Sequence, residues 1–133
     1  MPSKPKVRPH FDNPLVCSKT SAHEWTLYEP LTYHSRIFAE CGLGERIVVP
    51  WGFSTDFASV PRLLWNLFPP DGTYTPAAVV HDYLYRKTVF PRSLCDAVFL
   101  EAMNACRTPW HERTIMWIAV RLCGWVARKK VPV

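Results

Sequence analysis

The sequence predicts an α+β domain, made of a small N-terminal antiparallel sheet, a long Pro-rich loop and a C-terminal part of three helices. Three observations predict it. Before Pro50 the apolar and β-branched residues come in short runs. Eight of the 13 Pro of the chain lie in residues 1–22 and 50–71, where they disfavour regular elements. After Thr75 apolar residues recur at helical spacing.

Taken in order, residues 1–22 are rich in Pro, Lys and Ser and read as an extended basic arm, leaving one α+β domain over residues 23–133. Trp25–Tyr28, Leu31–Phe38 and Arg46–Val49 are β-like runs, separated by Glu29-Pro30 and Cys41-Gly-Leu-Gly44, and predict a sheet of two or three strands. Pro50–Asp71, with Pro50, Gly52, Pro61, Pro69 and Pro70, reads as an ordered loop. A compact domain seldom spends about twenty residues on irregular structure without a functional reason. Helices are expected over residues 76–87, 94–106 and 109–128. Thr75-Pro76 and Thr108-Pro109 each set an N-cap residue before Pro at the first helical position, and Ser93-Leu-Cys-Asp96 is a variant of the capping box. The short turn through Phe90-Pro91 makes the first two helices antiparallel neighbours.

A length of 133 residues suffices for one core and not for two ordinary domains. Sixteen Lys and Arg against eleven Asp and Glu give a net charge of +5, which suggests nucleic acid. Location argues otherwise. Lys4, Lys6, Arg8, Arg128, Lys129 and Lys130 sit at the two ends, and the body between carries ten basic and eleven acidic residues, a net of −1. The surplus therefore reads as a contact device for an acidic partner or an anionic membrane. Five Cys without C-x-x-C spacing argue against a disulfide framework or zinc site and for free thiols. No apolar segment of a signal peptide follows the first basic residues. The longest apolar stretch, Thr114–Val126, contains Arg121 and falls short of the roughly 20 residues of a membrane span.

Chemistry concentrates in the first two helices. At helical spacing Ala77, Ala78, His81, Leu84 and Tyr85 share a face, with Asp82 round its edge, and Asp96 lies in a stripe with Phe99, Leu100 and Met103. A carboxylate in an apolar stripe needs a partner. His81 and Asp96 are offset by about 5 Å along the helix pair at a rise of about 1.5 Å per residue, a gap side chains span. A His oriented by a carboxylate has a fixed tautomer and can act as a general base. The same residues also fit a polar cluster that only locks two helices together, or an Asp96 that caps its own backbone. Asp56, Ser59 and Arg62 could line the same site, with Asp56 as a further oxygen ligand; turn formation is the competing role for Asp56 and Ser59. No G-x-S-x-G elbow surrounds Ser59. His10, His23, His34 and His111 stand in no motif and read as surface or loop residues.

In the third helix, Ile115, Ile118, Ala119, Leu122 and Val126 form a stripe expected to face the core. Trp110, Trp117 and Trp125 with Arg113, Arg121 and Arg128 collect on the other side, a composition suited to a protein interface or a lipid headgroup layer.

Gly72–Arg86 with its His81-Asp82-x-x-Tyr85, followed by Cys95–Met103 with Asp96, resembles the secreted bacterial, fungal and parvoviral phospholipase A2 enzymes. The resemblance covers about a quarter of the chain. It implies an antiparallel helix pair in which His81 activates water, Asp82 holds Ca²⁺, and Asp96, supported by Tyr85, orients His81. Phe68–Tyr74 has one Gly where that family's calcium loop is Gly-rich, and Ala78 stands where the family has a Cys. A second resemblance spans more of the chain. Thr55-Asp-Phe-Ala-Ser-Val-Pro-Arg62 and Val80-His-Asp-Tyr-Leu-Tyr85 are similar to a family of small proteins of unknown function encoded by tailed bacteriophages and prophages. It implies a location in the virion or host cytoplasm, and phage structural proteins or host membrane lipid as partners. Two functions follow as expectations: a phospholipase A2-like hydrolase, or a non-enzymatic tail, baseplate or neck component.

Overall fold

A computed structural model of the protein describes residues 7–21, 24–56, 73–87 and 89–129, with side chains of the last helix as far as Leu122. The architecture is α+β. Six short strands, β1 (His10–Phe11), β2 (Cys17–Ser21), β3 (Glu24–Leu27), β4 (Leu31–His34), β5 (Arg46–Val49) and β6 (Ser54–Thr55), form two antiparallel three-stranded sheets, ordered β1-β4-β5 and β2-β3-β6. Four helices complete it: α1 (Arg36–Glu40), α2 (Thr75–Lys87), α3 (Arg92–Ala105) and α4 (Trp110–Lys129).

The N-terminal segment is extended, but its described part is not a free arm. His10 and Phe11 pair with His34 and Tyr33, and Cys17–Lys19 pair with Trp25–Leu27. One expected sheet of two or three strands thus becomes two sheets, because the N-terminal segment supplies a strand to each. The run Leu31–Phe38 also divides. β4 ends at His34, and Ser35 caps the short helix α1 by accepting the Phe38 N–H at 3.1 Å. Glu101 of α3 fastens this corner, taking hydrogen bonds from the hydroxyls of Tyr33 (2.7 Å) and Ser35 (2.9 Å) and from the Ile37 N–H (3.1 Å).

Alternation along β4 and β5 turns Leu31, Tyr33, Ile47 and Val49 inward. They join Val80 and Leu84 of α2, Val98, Phe99 and Met103 of α3, and Met116 and Val120 of α4 in one core. Each such large side chain contributes roughly 1.5–3 kcal/mol on full burial. Between β5 and β6 the chain turns at Gly52, whose φ of 84° is open to Gly and strained for other residues.

Two helix expectations change. α3 does not start with a capping box at Ser93: Pro91 is its N-cap, without a side-chain bond, and its carbonyl takes the N–H groups of Leu94 and Cys95. Asp96 is thereby free of its own helix terminus. In α4 the stripe of Ile115, Ile118 and Leu122 faces outward, with Leu122 68% exposed, while Met116 and Val120 are buried. The reason is spacing. Arg113, Met116, Trp117, Val120 and Arg121 form the i, i+3, i+4, i+7, i+8 series that meets α3, so much of the expected Trp/Arg outer face lies against the body. Trp110 remains outside, at 71% exposed. The side chains of Trp125 and Arg128 lie outside the described residues, as do Ser59, Arg62 and most of the Pro-rich loop. Cys17, Cys41 and Cys106 are free thiols, and burial pushes the Cys106 thiol up to about 11. Among the described residues no helix is long and apolar enough to cross a membrane.

Candidate active site

α2 and α3 pack side by side, and His81, Tyr85 and Asp96 meet between them. The Asp96 carboxylate is the hub. Its Oδ1 accepts from His81 Nε2 at 2.8 Å and from the Tyr85 hydroxyl at 2.7 Å; its Oδ2 accepts from Arg121 Nη1 of α4 at 3.0 Å. His81 is fully buried and Asp96 is 1% exposed. Burial alone pushes the Asp96 carboxyl up, but the hydrogen bonds from His81 and Tyr85 and the Arg121 contact outweigh it and hold the group below the usual carboxylate range. Burial, reinforced by the neighbouring Asp96, drives the Tyr85 phenol well above its ordinary value, so it stays a donor.

The His81 ring lies against Tyr85 (centroids 4.2 Å apart) and Phe99 (4.7 Å). An anionic Asp96 requires His81 to donate from Nε2, which in the neutral ring leaves Nδ1 as an acceptor. Nδ1 is buried and has no hydrogen-bond partner among the described residues. Such an orphan costs roughly 1–3 kcal/mol, and in native proteins it calls for an explanation.

Asp82, the next residue of α2, looks elsewhere. Its Oδ2 accepts from the Thr55 hydroxyl of β6 and lies 3.3 Å from Arg86 Nη2. The same Nη2 is 3.7 Å from Asp56 Oδ1, and Arg86 Nη1 donates to the Ser54 carbonyl. Burial raises the Asp82 pKa, with Arg86 and Thr55 pulling in the opposite direction.

The two expected calcium ligands, Asp82 and Asp56, thus converge on a guanidinium. Calcium needs six to eight oxygen ligands, and here a fixed positive charge stands between the two carboxylates. The described residues therefore do not fit the ion.

Three functional neighbours escaped the sequence reading. Arg86 carries a legible signal, since it follows Asp82 by four residues on one helix face. Arg121 would have emerged from the Arg113–Arg121 face of α4 had that face been set toward the core. Thr55 reaches Asp82 from a strand 27 positions away, and no local pattern signals it.

No curated protein and no solved structure matches the chain. A family model described as "Protein of unknown function (DUF1353)" matches residues 25–120, a span holding the His81–Asp96–Tyr85 cluster and the Asp82–Arg86–Asp56 group. The match covers well over half of the sequence, and the chain belongs to this family of proteins of unknown function.

Proposed function

We propose that the protein is a hydrolase with a His/Asp site of the phospholipase A2 type, encoded by a phage and acting on lipid esters at the host envelope. One observation carries the reading: His81 is held through Nε2 by a triply bonded carboxylate and keeps a bare, buried Nδ1. That arrangement is the one a general-base histidine needs.

In the proposed reaction Nδ1 takes a proton from water, whose oxygen attacks the ester carbonyl carbon. The acyl–oxygen bond breaks, and the proton passes from Nδ1 to the departing alkoxide, giving a fatty acid and an alcohol. Asp96 keeps the ring in the required tautomer and offsets the charge that the imidazole acquires. Tyr85 and Arg121 hold Asp96 in place. No step runs through calcium. Because His81 is fully buried, substrate reaches Nδ1 only after the chain covering it moves aside.

A specific observation favours a second reading, the non-enzymatic virion component of tail, baseplate or neck. His81 and Asp96 are sealed, and α4 exposes Ile115, Ile118 and Leu122 as an apolar stripe suited to a neighbouring subunit.

Fatty-acid release from phosphatidylglycerol/phosphatidylethanolamine vesicles distinguishes the two. Hydrolysis by the wild type is expected to survive a calcium chelator and to fall about 10²–10⁴-fold in His81→Gln. No release by folded wild-type protein, with His81→Gln altering only stability, supports the structural role instead.

A further inference from the structure

A second cluster of donor side chains lies outside the α2–α3 site, on the β1-β4-β5 sheet. His10 and His34 are directly opposite each other in the β1–β4 pairing, so their side chains share one face. Asp12, two residues after His10, returns to that face, and its N–H still bonds the Thr32 carbonyl at 3.0 Å. The two rings stack nearly parallel, 4.3 Å apart and at 4°. His34 Nε2 lies 2.9 Å from Asp12 Oδ2 and His10 Nε2 lies 3.3 Å from Asp12 Oδ1.

The outer nitrogens are also held. His10 Nδ1 is 2.6 Å from the Arg8 carbonyl, and His34 Nδ1 is 2.9 Å from Glu45 Oε1. Each Nδ1 thus carries a proton toward an acceptor, and each Nε2 is turned to the shared carboxylate; His34 Nε2 donates to Asp12 in the metal-free protein, and an entering ion displaces that proton. Metal-binding histidines show this pattern: the remote ring nitrogen donates to a carbonyl or carboxylate, which fixes the tautomer and strengthens the ligating nitrogen. One donor atom from each of His10, Asp12 and His34 lies within 4.8 Å of the others.

We infer that His10, Asp12 and His34 form a binding site for a divalent transition metal of the zinc class. Two imidazoles and one carboxylate are ligands of borderline character, suited to Zn²⁺ or Co²⁺ and unsuited to an all-oxygen ion such as calcium. Donors around a tetrahedral ion stand roughly 3.4 Å apart when bonds are about 2.0–2.1 Å, so binding draws the three together. His10, half-exposed at the sheet edge, has the freedom to rotate inward. Glu45 and the Arg8 carbonyl act on the ligating rings from behind. Three protein ligands leave a fourth position open to water. His10 also lines a cleft with Arg8, Glu101, Asn104 and Arg107.

The test is Co²⁺ titration of the full-length, chelator-stripped protein, followed by absorbance. One equivalent is expected to bind, with the d–d bands of nitrogen and oxygen ligation and without a thiolate charge-transfer band. His10→Ala, Asp12→Ala and His34→Ala are each expected to weaken binding at least about 10-fold, and Glu45→Gln by about 10-fold. His10→Ala removes a ligand from an exposed position and so separates lost binding from lost folding. No saturable binding by the wild type, unchanged affinity in His10→Ala and Asp12→Ala, or a thiolate band overturns the assignment.

Discussion

Two sides of one helix turn treat buried charge in opposite ways. His81 and Asp82 are adjacent on α2, yet the His81 side ends in a carboxylate with three donors from two helices. The Asp82 side ends in a carboxylate shared between a strand hydroxyl and Arg86, which also contacts Asp56 and Ser54. Both carboxylates are buried. Donors outweigh desolvation at Asp96 and lower its pKa, whereas desolvation wins at Asp82 and raises it. Burial does not decide the state of a carboxylate by itself. The number and fixity of its donors do.

The largest expected effect comes from breaking the hub. Asp96→Ala leaves the His81 Nε2–H buried without its acceptor and removes the partner that the Tyr85 hydroxyl and Arg121 share, and urea denaturation should show a loss of about 3–5 kcal/mol. Asp82→Asn keeps the shape of a group whose ionised form is already disfavoured. Its cost should stay within about 1 kcal/mol. Equal losses in the two variants would remove the distinction between the sites.

Acid titration sharpens the same contrast. The folded pKa of Asp82 is raised, so its contribution is present at low pH and is lost as pH rises through that folded value. The folded pKa of Asp96 is lowered, so its contribution is present above the unfolded value of about 3.9 and is lost as pH falls through the folded value. Denaturation midpoints followed downward from neutral pH should gain from Asp82 while pH is still above about 4 and lose from Asp96 below it. Asp82→Asn should erase the gain, and Asp96→Asn the loss.

The smallest stability change is expected for Arg86→Gln, since its side chain is partly exposed and each ion pair it breaks is worth about 0–1 kcal/mol. Its informative readout is calcium. Removing the guanidinium leaves Asp82 and Asp56 facing each other, so calcium should raise the melting temperature of Arg86→Gln and leave that of the wild type unchanged. A calcium-dependent rise in the wild type would contradict the role given to Arg86.

The meeting of His81, Tyr85 and Asp96 is readable in the sequence because it depends on helix spacing alone: i and i+4 on one helix, and a polar residue in an apolar stripe on its neighbour. The start of α2 and the outer ends of β4 and β5 are legible for the same local reason. What escapes is set elsewhere. Ser35 turns a β-like run into a helix through a cap bond that apolar patterning does not reveal. The split into two sheets depends on Trp25 and Thr26 pairing with Thr55 and Ser54, about thirty positions on. The face of α4 that meets the core was hidden because Ile115, Ile118 and Leu122 make as apolar a stripe as Met116, Trp117 and Val120. His34 looks like an isolated surface residue until strand pairing brings it to His10.

Everything proposed for the α2–α3 site depends on His81 donating from Nε2 to Asp96 and holding Nδ1 as a bare acceptor. Long-range ¹H–¹⁵N correlation spectroscopy of the imidazole at neutral pH tests it directly. A protonated Nε2 and an unprotonated Nδ1 are expected, with the pattern lost in Asp96→Asn. A proton on Nδ1, alone or together with one on Nε2, would contradict it.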